Sequence, residues 1–243
     1  VGATGSGKST TLAAMLDYRN DTKPGHIVTV EDPIEFIHEH KKCLVTQREI
    51  GIDTESYQAA LKNALRQRPD TILIGEIRDA EVMEHAIVFA ETGHLCMATL
   101  HANNANQALE RILNFFPESR HPQVCLNLAY NLRAVIAQRL VQGEPEGRIP
   151  ALEILNNDGL VRELIRTNQH DKIKEAMERS SASGSQTFDQ ALFNLVAQRA
   201  ISESTALSEA DCVADLELKL RQSRIGGQVD GLAGLDTSQI SFL

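Results

Sequence analysis

The chain has 243 residues, 42% of them hydrophobic, and a formal net charge of −9. That length builds one large domain or two small ones around a real core, and the acidic balance argues against a protein that coats nucleic acid or an anionic membrane, though not against a local basic pore. No run of about 18 apolar residues is present to span a bilayer, and Cys43, Cys96, Cys125 and Cys212 are scattered without a Cys-x-x-Cys pair, which reads as reduced cytosolic thiols.

Gly2, four residues, then Gly7-Lys8-Ser9 forms the P-loop pattern. Glycines there let the backbone turn tightly and bring successive N–H groups onto the phosphates of a nucleotide. Lys8 would reach the β- and γ-phosphates, Ser9 would ligate Mg²⁺, and Thr10 to Arg19 would be the helix whose positive end faces the anion. Gly2, Thr4, Gly5, Ser6, Gly7, Lys8, Ser9 and Thr10 are therefore the candidate residues for binding a nucleoside triphosphate. A P-loop follows a buried strand, yet only Val1 precedes Gly2, so the expected core is one whose first strand lies upstream of this sequence.

His26 to Val30 is a short β-branched run, expected as a buried parallel strand, and it leads into Glu31-Asp32-Pro33-Ile34-Glu35. Carboxylates at the C-terminal end of such a strand stand where open α/β sheets bind their ligands. Cys43 to Ile50 reads as another strand; His38, His40 and Cys43 lack a fourth ligand and are not taken as a metal site. Asp53 or Thr54 is expected to cap a helix that closes before Pro69. Thr71 to Ile74 is a further buried strand with Glu76 just past its end, where Glu76 could position Mg²⁺ through its water shell or orient an attacking water. A helix over Ala80–Glu91 precedes His94, and a strand over Leu95–Leu100 delivers Thr99 and His101 to the edge that carries Glu35 and Glu76. Glu35, Glu76, His94 and His101 are the catalytic candidates, and Ser9 and Glu76 the candidate Mg²⁺ residues.

An amphipathic helix is expected to open at Ala102-Asn103-Asn104-Ala105-Asn106 and stop at Pro117, followed by a long helix from about Pro122 to Leu140. The turn Gly143–Gly147 leads to the strand Ile149–Leu155, the last piece of sheet. Beyond it the pattern is helical, with Leu160, Val161, Leu164 and Ile165 on one stripe and Arg162 and Arg166 on the other side. Helices are expected over His170–Arg179, Gln186–Arg199 and Ser202–Ser223, with a break at 180–184. The division is then 1–155 for the core, 156–224 for a helical region, and 225–243 for a glycine-containing flexible tail.

Four motifs together resemble the secretion-superfamily ATPases: Gly2 to Ser9 as Walker A, Glu31 to Glu35 as the Asp box, Ile72 to Glu76 as an atypical Walker B with Gly where Asp is more usual, and Thr92-Gly93-His94 with Ala98 to His101 as the His box. Within that superfamily the chain resembles the type IV pilus retraction ATPases of the PilT and PilU group. The run Thr99 to Ile112 is nearest its PilU branch, and Leu160 to Thr167 is similar to its C-terminal retraction motif. The four-cysteine zinc motif usual in pilus assembly and secretion ATPases is absent.

The resemblance implies an α/β, RecA-like P-loop core, truncated at its N-terminus, followed by an all-helical region. It implies ATP and Mg²⁺ as cofactors, Glu35 as general base, Glu76 supporting the Mg²⁺ and water network, and His94 and His101 at the γ-phosphate. By the same resemblance, arginines of a preceding PAS-like domain complete the site, so the fragment alone can bind nucleotide and still be inactive. The expected assembly is a homo-hexamer, or a mixed ring with a PilT-type ATPase, docked at an inner-membrane pilus platform protein on the cytoplasmic face, with no stable nucleic-acid binding. Arg162 and Arg166 are either a solvated face or a route from nucleotide state to the pilus machinery. The alternatives are a non-hydrolysing, nucleotide-gated subunit on a partner ATPase, and a related secretion or DNA-uptake ring ATPase.

Overall fold

The β-branched runs after the glycine loop become the inner strands of a parallel sheet. Strand β1 (Gly25–Glu31) lies between β2 (Cys43–Glu49) and β3 (Thr71–Ile74), and β4 (Leu95–Ala98) pairs with β3, giving the order β2-β1-β3-β4. All three pairings are parallel, with Val30 opposite Ile74 and Ile74 opposite Ala98. Their C-terminal ends therefore come out along one edge. Strand β4 ends two residues before the expected Leu100 because its partner β3 ends at Ile74; Thr99 stays tied through its hydroxyl, which donates to the Gly75 carbonyl.

Alternation along the strands covers both faces. Ile27, Val45 and Leu73 pack with Leu16 of helix α1 (Lys8–Thr22), while Val28, Val30, Ile72 and Ile74 face the larger cluster on the other side. That cluster takes in α2 (Tyr57–Ala64), α3 (Ala80–Glu91), α4 (Ala105–Asn114) and α5 (His121–Asn131), with Phe89 of α3 fully buried in it. The cap of α2 is Ser56, whose hydroxyl accepts from the Ala59 N–H, and not Asp53 or Thr54; Asp53 instead accepts from the Glu49 N–H. Asp79 and Asn104 cap α3 and α4 in the same way.

The long helix expected to Leu140 stops at Asn131, and Ala134–Gln142 is strand β5. Leu132 turns extended (φ −63°, ψ 134°), and the side-chain amide of buried Asn157 donates to the carbonyls of Ala129 (2.9 Å) and Leu132 (2.8 Å), satisfying the helix end. Strand β5 pairs with β6 (Arg148–Asn156) in a separate two-stranded sheet, so the Ile149–Leu155 run does not join the four-stranded one. Val1 lies against β5, donating to the Ile136 carbonyl (2.6 Å) and accepting from the Gln138 N–H (3.0 Å). Between β4 and β5 is a mainly apolar cavity of about 470 Å³, lined by residues that include Leu95, Met97, Leu132 and Val135.

The computed structural model describes residues 1–179 and 184–232, in two compact units. The first, Val1–Leu140 with Leu152–Thr187, holds the parallel sheet and ends in α6 (Gly159–Arg166) and α7 (Ile173–Arg179). On α6, Val161, Leu164 and Ile165 are buried as expected, whereas Leu160 is 53% exposed and leaves the apolar stripe. The second unit, Val141–Ala151 with the chain from Phe188 onward, contains α8 (Phe188–Ala197), α9 (Glu203–Glu209) and α10 (Val213–Leu232). The single helix expected over Ser202–Ser223 is broken because buried Asp189 accepts from the N–H groups of Asp211 (2.8 Å) and Cys212 (3.2 Å), which starts a new helix. Residues 225–232, expected in the tail, continue α10; 180–183 of the expected break and 233–243 of the tail lie outside the described residues. Among the described residues no helix is long and apolar enough to cross a membrane.

His170, in the turn between α6 and α7, is buried with its Nε2 unpaired among the described residues. Burial lowers its pKa, with Glu110 and Asp171 acting in the opposite sense. The unfolded chain thus takes up this proton first as pH falls, so the contribution to stability is complete above about pH 6.5 and is lost as pH drops from there through the lower folded-state value. In His170→Gln the gap between urea midpoints measured at about pH 7.5 and about pH 5.5 should shrink. An unchanged gap refutes this.

Candidate functional site

Gly5 and Gly7 have φ of +78° and +83°, the left-handed region that glycine adopts without a Cβ penalty. At Gly7 a Cβ would also lie 2.8 Å from Gln138 Nε2, and at Gly2 one would meet the Ser6 hydroxyl and stand 2.7 Å from the Gln138 carbonyl. The loop closes with the Ser6 N–H donating to the Ala3 carbonyl (3.2 Å), leaving Thr4 and Gly5 at an exposed crown. Helix α1 then begins at Lys8 with no side-chain cap and no acidic residue in its first turn, so the N–H groups around Ser9 and Thr10 form an uncompensated positive end.

Lys8 Nζ donates to the carbonyls of Gly2 and Ala3, each at 2.9 Å, which holds the ammonium at the mouth of the loop. Burial lowers its pKa, and the charges of Glu76 and Glu35 partly restore it. Both carboxylates expected in the site therefore act on this lysine from the edge of the sheet.

Glu76 is the hub of that edge. Its Oε1 lies 3.2 Å from His101 Nε2, and its Oε2 accepts from Arg78 Nε at 2.8 Å. Arg78 also donates to Asp32 at 3.2 Å, joining the loop after β1 to the loop after β3. Glu31 is turned away, accepting from Thr29 (2.6 Å) and Gln47 (3.3 Å), whereas Glu35 is exposed and makes no hydrogen bond or ion pair among the described residues. The backbone of Glu76 is also bonded to buried Tyr57, whose pKa is pushed up to about 12 by burial first and by Asp32 second.

Gly75, where an aspartate is more usual, sits at a crowded passage. A Cβ there would stand 3.0 Å from the Tyr57 hydroxyl and 3.1 Å from Glu31 Cα, so a side chain would require Tyr57 or the end of β1 to give by a few tenths of an ångström.

The structure does not bring His94 to this group. It precedes β4, at the end of the strand opposite to His101, where its Nδ1 meets the Thr92 hydroxyl (2.9 Å) and the Phe89 carbonyl (3.1 Å) and its ring meets Phe89 edge-on at 5.8 Å. Within this chain its contacts are those of a helix-end packing residue. His40 and Cys43 have local partners too: the Val45 N–H donates to His40 Nδ1 and the Cys43 thiol to the Lys23 carbonyl.

Three residues belong to the site that the sequence reading passed over. Arg78 is one, and its position two residues beyond Glu76 was the available signal. Gln138 and Glu153 are the others. Gln138 lay in a segment expected as helix, and Glu153, buried on β6, accepts from the Ala105 N–H (2.7 Å) and so fixes the start of α4 beside the His101 loop.

The glycine cradle, the uncapped helix start and the lysine at its mouth are the donor set a polyphosphate requires. Residues 1–208 match the family described as Type II/IV secretion system protein. The chain belongs to this family. It is 56% identical over 222 residues to the type IV pilus ATPase PilU of Pseudomonas aeruginosa, covering 91% of this chain and 58% of that one. To the type IV pilus retraction ATPase PilT of the same organism it is 46% identical over 209 residues, covering 86% of this chain and 61% of the other. A crystal structure of the pilus retraction motor PilT with bound ADP superposes with a TM-score of 0.83 at 43% identity, over 89% of this chain and 62% of that one. This family member is thus a homologue of the PilT and PilU ATPases that spans about 60% of their length.

Proposed function

We propose that this chain is the ATP-hydrolysing core of a longer motor protein that drives type IV pilus retraction and twitching motility. The observation that carries the reading is the Glu76 hub, in which a carboxylate is held by Arg78 and His101 at the sheet edge that faces Lys8.

In this reading Lys8 exchanges its loop carbonyls for β- and γ-phosphate oxygens, and the N–H groups of Ala3 to Thr10 hold the remaining phosphate charge. Glu35, with no partner of its own among the described residues, accepts a proton from the attacking water. The water oxygen bonds to the γ-phosphorus, the bond to the β,γ-bridging oxygen breaks, and ADP leaves with that electron pair. Glu76 orients the water, and Arg78 fixes the Glu76 rotamer through Nε. His101, on the other oxygen of Glu76, is placed to donate to the transferring phosphoryl group. Ser9 and Glu76 fit the hard-oxygen preference of Mg²⁺, which would supply charge neutralisation between the β- and γ-phosphates. His94 supports the site from a distance, by anchoring the chain between α3 and β4.

The working assembly in this proposal is a hexamer, or a mixed ring with a PilT-type ATPase, at the cytoplasmic face of the inner membrane against the pilus platform protein. The test is ATP turnover by the full-length protein, alone and mixed with a PilT-type partner, with Lys8→Ala as the blank. Turnover that depends on Lys8 supports a motor. Nucleotide binding without turnover in either mixture would overturn it in favour of a non-hydrolysing subunit.

A further inference from the structure

We propose that Gln138 of β5 is the residue that holds the phosphate loop in its binding shape, a positioning residue for nucleotide that acts from behind the loop. The inference rests on the nucleotide-binding reading of that loop and extends it to a residue outside every motif.

Gln138 touches the loop and the helix after it at once. Its Nε2 donates to the Ser6 carbonyl at 2.6 Å, and its Oε1 accepts from the Thr11 hydroxyl at 2.7 Å. Its backbone N–H donates to the Val1 carbonyl at 3.0 Å, so the entry to the loop, the Ser6 carbonyl and the first turn of α1 all converge on one side chain and its own peptide. The side chain is only 6% exposed, and both ends of its amide are paired. The Ser6 carbonyl fixes the orientation of this buried amide, since turning it over would set the amide oxygen against a carbonyl oxygen with no donor between them.

The loop is built around this contact. Gly7 has no side chain where a Cβ would fall 2.8 Å from Gln138 Nε2, and Gly2 has none where a Cβ would fall 2.7 Å from the Gln138 carbonyl. Two of the three loop glycines thus admit β5 to the back of the loop. The Ser6 carbonyl is drawn inward by Gln138, and the N–H of the same planar trans peptide, that of Gly7, therefore points the other way, toward the ligand side. Thr11, held on Gln138, fixes the first turn of α1 against the same strand.

Such a residue supports the phosphates equally before and during the reaction, so its loss should weaken binding and leave the chemical step alone. In the full-length protein, Gln138→Leu should raise the KM for ATP and the Kd for a fluorescent ADP about tenfold, with kcat within about twofold of the parent, since one hydrogen bond to the loop and one to the first turn of α1 are lost. Gln138→Glu keeps the acceptor for Thr11 but sets a carboxylate oxygen against the Ser6 carbonyl, and should bind no better than Gln138→Leu. Thr11→Val removes one of the two bonds from the helix side, and combined with Gln138→Leu it should raise KM no further than Gln138→Leu alone.

A KM in Gln138→Leu within twofold of the parent overturns the proposal. So do effects of Gln138→Leu and Thr11→Val that simply multiply in the double variant. Should Gln138→Leu fail to fold, Thr11→Val and Gln138→Glu decide by the same KM-against-kcat split. A parent protein that binds no ADP would instead refute the nucleotide reading itself.

Discussion

Glu76→Gln in the full-length protein should lower ATP turnover by about 10²–10³-fold while changing the Kd for ATP by less than about threefold. The substitution keeps the shape of the side chain but replaces an accepting oxygen by an NH₂ group. Glu76 is approached by Arg78 Nε on one oxygen and His101 Nε2 on the other, so an amide that keeps its oxygen on Arg78 turns its NH₂ to His101, which can then no longer donate there, and the carboxylate charge is gone in either orientation. The hub then opens, and the groups that should meet the lytic water and the γ-phosphate lose their fixed spacing. ATP binding depends on the loop and Lys8, neither of which bonds to Glu76, and so it survives. Multiple-turnover kinetics beside equilibrium binding of a fluorescent nucleotide read both quantities. Turnover within threefold of the parent would remove Glu76 from the chemistry.

Phe89→Ala should destabilise the protein by about 3–5 kcal/mol, seen as a fall in urea midpoint without a change in m-value. Phe89 is fully buried in the main cluster beneath the four-stranded sheet, at the last full turn of α3. Its carbonyl and ring also receive His94, so the cavity would loosen the turn that leads into β4. A loss below about 1 kcal/mol would mean that the cluster closes over the gap.

The parallel sheet was legible because its inner strands, β1 and β3, are short β-branched runs; Ala80–Glu91 is a helix with the bounds expected of it. The adjacency of Glu76 and His101 came from the same pattern, since parallel strands deliver the residues just past their C-terminal ends to one edge. Strand direction also separates His94 from His101, a consequence that reading the motif as a unit concealed. Strand β5 was illegible for a different reason. Its apolar spacing fits a helix as well as a strand, and the group that ends α5 is an amide on Asn157, 25 residues beyond Leu132. With β5 taken as helix, Gln138 had no path to the P-loop. The division of the last helices likewise depends on Asp189, whose carboxylate acts on a turn 22 residues away.

The close passage of β3 beside β1 at Gly75 bears on the charge that a triphosphate meets. With glycine at this tight passage, the strand end carries one carboxylate in place of two adjacent ones, and Arg78 already offsets part of the charge on Glu76 and Asp32. An incoming polyanion therefore faces less like-charge repulsion from this edge than an Asp-Glu pair would impose. The choice of glycine at one crowded position thus moderates the local negative potential.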